Sequence, residues 1–202
     1  NCKTYCDKVI NSGKYSLAPN YRQNFSADND GKKNPEMIFA FELDGVNTQG
    51  PVGTTFIIQS CSDAIYIRAE DYHGLTSNTN WNGNRARKEF MNILVDTLAT
   101  YGGQIPTDDV EFSKCKDNRV FLKMKKSMDI PSASSSGDYG IGVYKFTAKN
   151  ADGSQAANYN TAYASTDFPI FRLADAYLMR AEAQFNLGRT TEAVNDINII
   201  RT

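Results

Sequence analysis

Phe168-Pro169-Ile170-Phe171-Arg172-Leu173-Ala174-Asp175-Ala176-Tyr177-Leu178-Met179-Arg180-Ala181-Glu182-Ala183 is the stretch whose periodicity decides the fold. Ile170, Leu173, Ala174, Tyr177, Leu178, Ala181 and Phe185 recur at helical spacing, which predicts one apolar helix face about five turns long. Pro169 stands at the N-terminal position a helix tolerates, since the missing N–H has no intrahelical partner there. Leu187-Gly188 stops the helix, and Thr190 or Thr191 can cap a second one whose face is Ala193, Val194, Ile197 and Ile200. The product is an antiparallel helical hairpin with the small residues Ala181 and Ala193 where the two helices meet. One such hairpin cannot cover its own apolar faces, so further helices must pack on it.

Outward from this hairpin the pattern is mixed. Cys2, Tyr5, Cys6, Val9 and Ile10 follow helical spacing up to Gly13. Both ends of the chain therefore fall inside amphipathic helices, and the chain reads as a section of a longer protein. Residues 36–43, 54–58, 64–68, 119–125 and 141–147 are short runs rich in β-branched and aromatic residues, which predicts short strands. A helix is expected over 84–101, with Phe90, Ile93, Leu94, Leu98 and Tyr101 on one face and Gly102-Gly103 as its stop. Residues 69–83 are polar, aromatic and loop-like. Tyr177, Ala181, Leu187-Gly188 and Ala193 resemble one tetratricopeptide unit, present once rather than as a repeat.

Bulk composition excludes several classes. With 41% apolar and 22% charged residues and a net charge of −1, nothing calls for a polyanionic partner. Lys123, Lys125 and Lys126 alternate with apolar residues and read as a solvated strand edge, so no nucleic-acid partner is expected. No run approaches the roughly 20 apolar residues of a membrane helix. The four cysteines contain no CxxC pair and only His73 could join them, which argues against a structural zinc; Cys2 and Cys6 sit one helical turn apart as two half-buried thiols.

Catalytic signatures are lacking too. No GxSxG elbow accompanies the single histidine, and Gly137, Gly140 and Gly142 miss the phosphate-loop spacings. Asp28-Asn29-Asp30-Gly31 reads as an exposed turn, since Phe39 stands where a calcium loop needs its bidentate Glu. Asp63, Glu70 and Asp71 are the acids from which a glycosidase pair would be drawn, a composition that loops commonly show without such a role. No cofactor, no metal and no enzymatic activity are expected.

Residues 70–87 instead mix aromatic faces with polar side chains, a combination suited to holding a ligand that presents both C–H groups and hydroxyls. Trp81, the chain's single tryptophan, lies in Asn80-Trp81-Asn82-Gly83, polar on both sides and just ahead of a helix. Two readings stay open for it, a ligand platform or a lid on the core under the loop. Asn80, Asn82, Tyr72, His73 and Arg85 complete the candidate site, with Asn82 also placed to be a helix N-cap. Tyr66, between Ile65 and Ile67, reads as a strand residue. Arg172, Asp175, Arg180 and Glu182 read as a structural ion-pair network on the polar side of their helix.

The 168–183 stretch, followed by Asn195-Asp196-Ile197-Asn198-Ile199-Ile200-Arg201, resembles the most recognisable part of the SusD/RagB family. Asn11-Ser12-Gly13-Lys14-Tyr15-Ser16-Leu17, Asn34-Pro35-Glu36-Met37-Ile38-Phe39, Asp117-Asn118-Arg119 and Tyr144-Lys145-Phe146 resemble family landmarks in the same order. The resemblance implies a mostly α fold over 1–202: tetratricopeptide-like helical hairpins in an α-α superhelix, a loop-rich face and several short β-strands. Within it, 1–13 ends a preceding helix, 34–148 faces the ligand and 167–202 is the hairpin. It also implies a lipid-anchored protein on the outer face of the outer membrane. Such a protein captures an oligosaccharide, or in some members a peptide, for a SusC-like TonB-dependent transporter. A tetratricopeptide-type scaffold that binds only proteins is the alternative.

Overall fold

The computed structural model describes residues 1–31, 33–77, 79–90, 117–132 and 136–201. Among these, the helices α1 (Cys2–Ile10), α2 (Gly53–Cys61), α3 (Leu173–Asn186) and α4 (Thr190–Arg201) dominate. The strands are short: β1 (Met37–Phe41), β2 (Leu122–Met124), β3 (Ile141–Val143) and β4 (Phe168–Arg172). A 3-10 turn covers Tyr21–Phe25 and a single π turn covers Ala69–His73.

The closing hairpin forms, although Val194 and Ile197 of its predicted apolar face are exposed. Gly188 adopts φ +75, the left-handed conformation that ends α3 without a Cβ penalty. Ala181 and Ala193 are both buried. Arg180 fastens three helices, pairing with Asp196 of α4 at 2.7 Å and Asp7 of α1 at 3.1 Å. Cys2 and Cys6 are free thiols 3.9 Å apart on α1. The ion-pair reading holds for Arg172 and Arg180, whose partners are the distant Glu36, Asp7 and Asp196.

The start of α3 corrects the expected helix. Helix begins at Leu173, and Phe168–Arg172 is instead β4, paired antiparallel with β1 from Phe41↔Phe168 to Met37↔Arg172. Pro169 sits in a two-stranded sheet, where a missing N–H is tolerated as it would be at a helix start. The Asp175 carboxylate accepts the Arg172 N–H at 3.0 Å and so caps α3. Leu178 and Phe185 are exposed, while Leu173, Ala174, Ala176 and Gln184 are buried.

Two of the expected strands are not strands. Residues 54–58 belong to α2, whose side chains anchor it from a distance: Thr54 Oγ1 donates to the Thr166 carbonyl at 2.5 Å, and Gln59 Nε2 to that of Ala162 at 3.0 Å. The Ala164 N–H donates to Thr55 Oγ1 at 2.9 Å. These bonds override the β propensity of Thr-Thr-Phe-Ile-Ile. Residues 64–68 form a turn in which Asp63 Oδ1 accepts the amides of Ile65, Tyr66 and Ile67. The runs 36–43, 119–125 and 141–147 do contain strands, each shorter than predicted.

Lys125 corrects the solvated-edge reading: its side chain is 1% exposed and pairs with Asp63. The Asp28–Gly31 turn is less exposed than expected, because Asn29 is buried, donating to the carbonyls of Asn24 and Asp167. Helical backbone starts at Lys88, not at 84. The rest of the predicted 84–101 helix, with its glycine stop, lies outside the described residues, as do Asn78 and Cys115.

Two apolar clusters frame the loop-rich part. Ile58, Ala69, Leu75, Ala148 and Ala164 pack with Phe146 beneath α2 and the π turn. Leu122 and Ile141 gather Ala86, Val120, Met124, Met128 and Val143 around the β2–β3 pair. The Trp81 loop runs between them.

Candidate functional site

The Trp81 loop is built on the C-terminal end of α2. A helix leaves its last carbonyls without intrahelical donors, and here the loop's amides supply them. Trp81 N–H donates to the Gln59 carbonyl at 3.1 Å, and Gly83 and Asn84 both donate to that of Ser60. The Asn82 N–H meets the Ser62 carbonyl just beyond the helix. Asn80 N–H donates to Ser62 Oγ at 2.8 Å. Asn80 and Asn82 have φ of +68 and +57, a conformation that Asn tolerates better than most residues. The polar neighbours thus turn the chain on either side of Trp81 and leave its ring on the surface.

Trp81 is 41% exposed. Its ring meets that of Phe56, itself 48% exposed, at 6.1 Å with an interplanar angle of 73°. Two aromatic faces therefore stand together on the surface of α2, with Asn80 exposed beside them. Phe56 escaped the sequence reading because residues 54–58 were expected to be a strand, and no local signal ties a residue of 53–61 to one of 80–84.

The other candidates separate. Tyr72 is half-buried and packs on Tyr144 at 5.1 Å, with the Lys123 ammonium 5.2 Å from its ring. Arg85 is half-buried next to Gly140. Asn82 turns its amide inward: its Oδ1 accepts from Lys125 at 3.3 Å, and no helix starts at it. The three acids considered for a glycosidase pair are occupied. Asp63 is buried against Lys125, while Glu70 and Asp71 flank Arg68 at 3.4 and 2.7 Å. Burial works to raise the Asp63 pKa, but Lys125 and the amides of Ile65 and Tyr66 hold it below the ordinary carboxylate value.

His73 is a correction. Expected beside Tyr72 on the ligand face, it is 1% exposed, with Nδ1–H donating to the Phe146 carbonyl at 2.7 Å. A polar neighbourhood in sequence does not fix burial; the π turn rotates His73 into the core opposite Phe146. Burial pushes its pKa down from 6.5 to about 4. The unfolded chain gains this proton near pH 6.5 and the folded chain only near pH 4. Stability is therefore full above 6.5 and falls by up to about 3 kcal/mol as pH drops through that window. Urea unfolding at pH 7 and pH 4.5 checks this: the wild-type loss should exceed that of His73→Gln, and equal losses would contradict it.

A cavity of about 640 Å³ opens elsewhere, between Leu17–Tyr21, Asp117–Arg119 and the α3–α4 hairpin. None of the sequence-predicted site residues lines it. Its walls carry the matched pairs Glu36–Arg172 and Asp117–Arg119 and the apolar Leu178, Ile199 and Ile200. It offers a sugar one aromatic ring, Tyr21, and, Arg201 apart, charged side chains already held in ion pairs. Among the described residues, no group of three or more His, Cys, Asp or Glu side chains could hold a metal, and no helix is long and apolar enough to cross a membrane.

The SusD family model matches residues 6–202. The chain belongs to the SusD family. The starch-binding protein SusD of Bacteroides thetaiotaomicron is 29% identical over 228 residues, covering 98% of this chain and 39% of that protein. A SusD superfamily protein from Parabacteroides distasonis superposes with a TM-score of 0.58 at 18% identity, over 98% of this chain and 37% of its own. Surface glycan-binding protein A of B. thetaiotaomicron, solved with laminarihexaose, gives 0.55 at 16% identity, over 98% and 41%. These structural likenesses bear on the fold, the mostly helical SusD architecture. The chain spans well under half the length of each of these relatives.

Proposed function

We propose that this SusD-family chain is part of a cell-surface glycan-capture protein, and that Trp81 and Phe56 form a platform on which a saccharide stacks. The observation that carries the reading is the exposed edge-to-face pair held over the end of α2 by hydrogen bonds from the five backbone amides of residues 80–84. A pyranose presents one C–H face, and an aromatic ring whose backbone is fixed in advance receives it at little entropic cost. Asn80 lies within the same loop to answer hydroxyls. The role is to hold the ligand without transforming it, since the nearby carboxylates are committed to Lys125 and Arg68.

The relatives support the ligand class: one is named for starch and another was solved with laminarihexaose. By extension we place the protein at the outer face of the outer membrane, lipid-anchored, delivering its ligand to a SusC-like TonB-dependent transporter. Isothermal titration with a panel of starch- and laminarin-derived oligosaccharides, followed by chromatography of the recovered sugar, tests the reading. Saturable binding to at least one member with the sugar returned intact is expected. Shortened products would make the protein an enzyme. Binding to peptides alone would favour a peptide-capturing subunit.

A further inference from the structure

The loop that presents Trp81 is fastened from beneath by one cation that has no contact with the surface. Lys125 follows β2 directly, and its side chain is 1% exposed, an uncommon place for an ammonium group. That ammonium stands 2.8 Å from Asp63 Oδ2, donates to the Gly137 carbonyl at 2.8 Å and to Asn82 Oδ1 at 3.3 Å. The three acceptors come from three separate segments: the exit of α2, the Trp81 loop and the turn ahead of β3. Asp63 is held in turn, its Oδ1 accepting three backbone amides.

Gly137 completes the junction. A Cβ at this position would lie 1.8 Å from Asn82 Oδ1 and 1.9 Å from its Cγ, so the Asn82 amide rests directly on the Gly137 backbone. Among the described residues, Asn80 and Asn82 are the only non-glycine positions with positive φ, and they flank Trp81. The loop therefore sits in a conformation that residues on either side must enforce. A buried ion pair is a weak source of stability, because desolvation offsets much of its attraction, whereas its geometry fixes how segments register.

We propose that Lys125, with Asp63 and Gly137, is the positioning device that sets the Trp81 ring for its ligand, so that affinity depends on residues the ligand never touches. This rests on the glycan-binding reading of that loop, and the test separates the two. Trp81 is the chain's single tryptophan, so intrinsic emission reports on this loop alone.

The variants are Lys125→Met combined with Asp63→Asn, which leaves no unpaired buried charge, and Gly137→Ala, which keeps the ion pair and displaces Asn82. Both are compared with wild type by far-ultraviolet circular dichroism, acrylamide quenching of Trp81 without ligand, and titration with the glucan oligosaccharides. The expected result is a wild-type dichroism spectrum, a quenching constant changed about twofold and saccharide affinity lowered about tenfold. If the double variant fails to fold, Gly137→Ala carries the test. Unchanged quenching in a folded variant overturns the positioning role. Altered quenching in a protein that binds no saccharide supports positioning and overturns the glycan reading alone.

Discussion

Trp81→Ala is expected to weaken saccharide binding about thirtyfold while leaving the fold in place. Trp81 is 41% exposed and its one aromatic neighbour among the described residues is Phe56, so truncation empties a surface position and opens no cavity in either core cluster. Its structural bond runs through the backbone, from the Trp81 N–H to the Gln59 carbonyl, and survives the substitution. Stability should fall by less than about 1 kcal/mol, as for other surface changes. Binding is another matter. A stacking platform that loses its larger ring forfeits about 2 kcal/mol, which is about thirtyfold in Kd. Trp81→Phe should recover part of the loss, and Phe56→Ala should cost less than Trp81→Ala. Calorimetric titration beside thermal unfolding reads both quantities. Unchanged affinity in a stable variant would remove Trp81 from the site.

The largest loss of stability is expected at Glu36. This residue is 4% exposed and joins the loop-rich part to the helical part. Its Oε1 accepts from Arg172 Nη1 at 2.6 Å, just where β4 gives way to α3. Its Oε2 accepts the Ala18 N–H at 3.0 Å and Asn24 Nδ2 at 3.1 Å, and its own carbonyl accepts the Leu173 N–H. Glu36→Ala strands a largely buried guanidinium, a fully buried Asn amide and a backbone N–H at once. Removing one partner of such a network costs about 3–5 kcal/mol, because the remaining polar groups stay desolvated without compensation. Glu36→Gln keeps acceptor and shape but loses the charge, and should cost about half as much. Urea midpoints measure the difference. A Glu36→Ala loss below about 1 kcal/mol would contradict the account.

The parts of this fold that were legible in the sequence are those set by local periodicity. The α3–α4 hairpin, its Gly188 break and the small buried Ala181 and Ala193 all follow from side chains within one or two turns of each other. Where partners lie far along the chain, local pattern misleads. Residues 54–58 look like a strand by propensity, yet Thr54, Thr55 and Gln59 bind residues 162–166, about a hundred positions away, and hold a helix. Phe168–Arg172 fits a helix start or an edge strand equally well, and only β1 decides between them.

The site divides in the same way. Asn80-Trp81-Asn82-Gly83 is polar on both sides, which left a surface platform and a lid on the core both open; the left-handed Asn80 and Asn82 decide for the surface. Phe56 is invisible until α2 brings it alongside. His73 and Lys125 carried polar signatures of a surface and are buried, because Phe146 and Asp63 supply from a distance the partners that burial demands.

The central claim is that a saccharide lies against the indole of Trp81, and emission of that single tryptophan during a glucan oligosaccharide titration tests it most directly. The account predicts a saturable change in intensity or wavelength that follows the same isotherm as the heat of binding. A sugar that binds by calorimetry while the emission stays flat would contradict it.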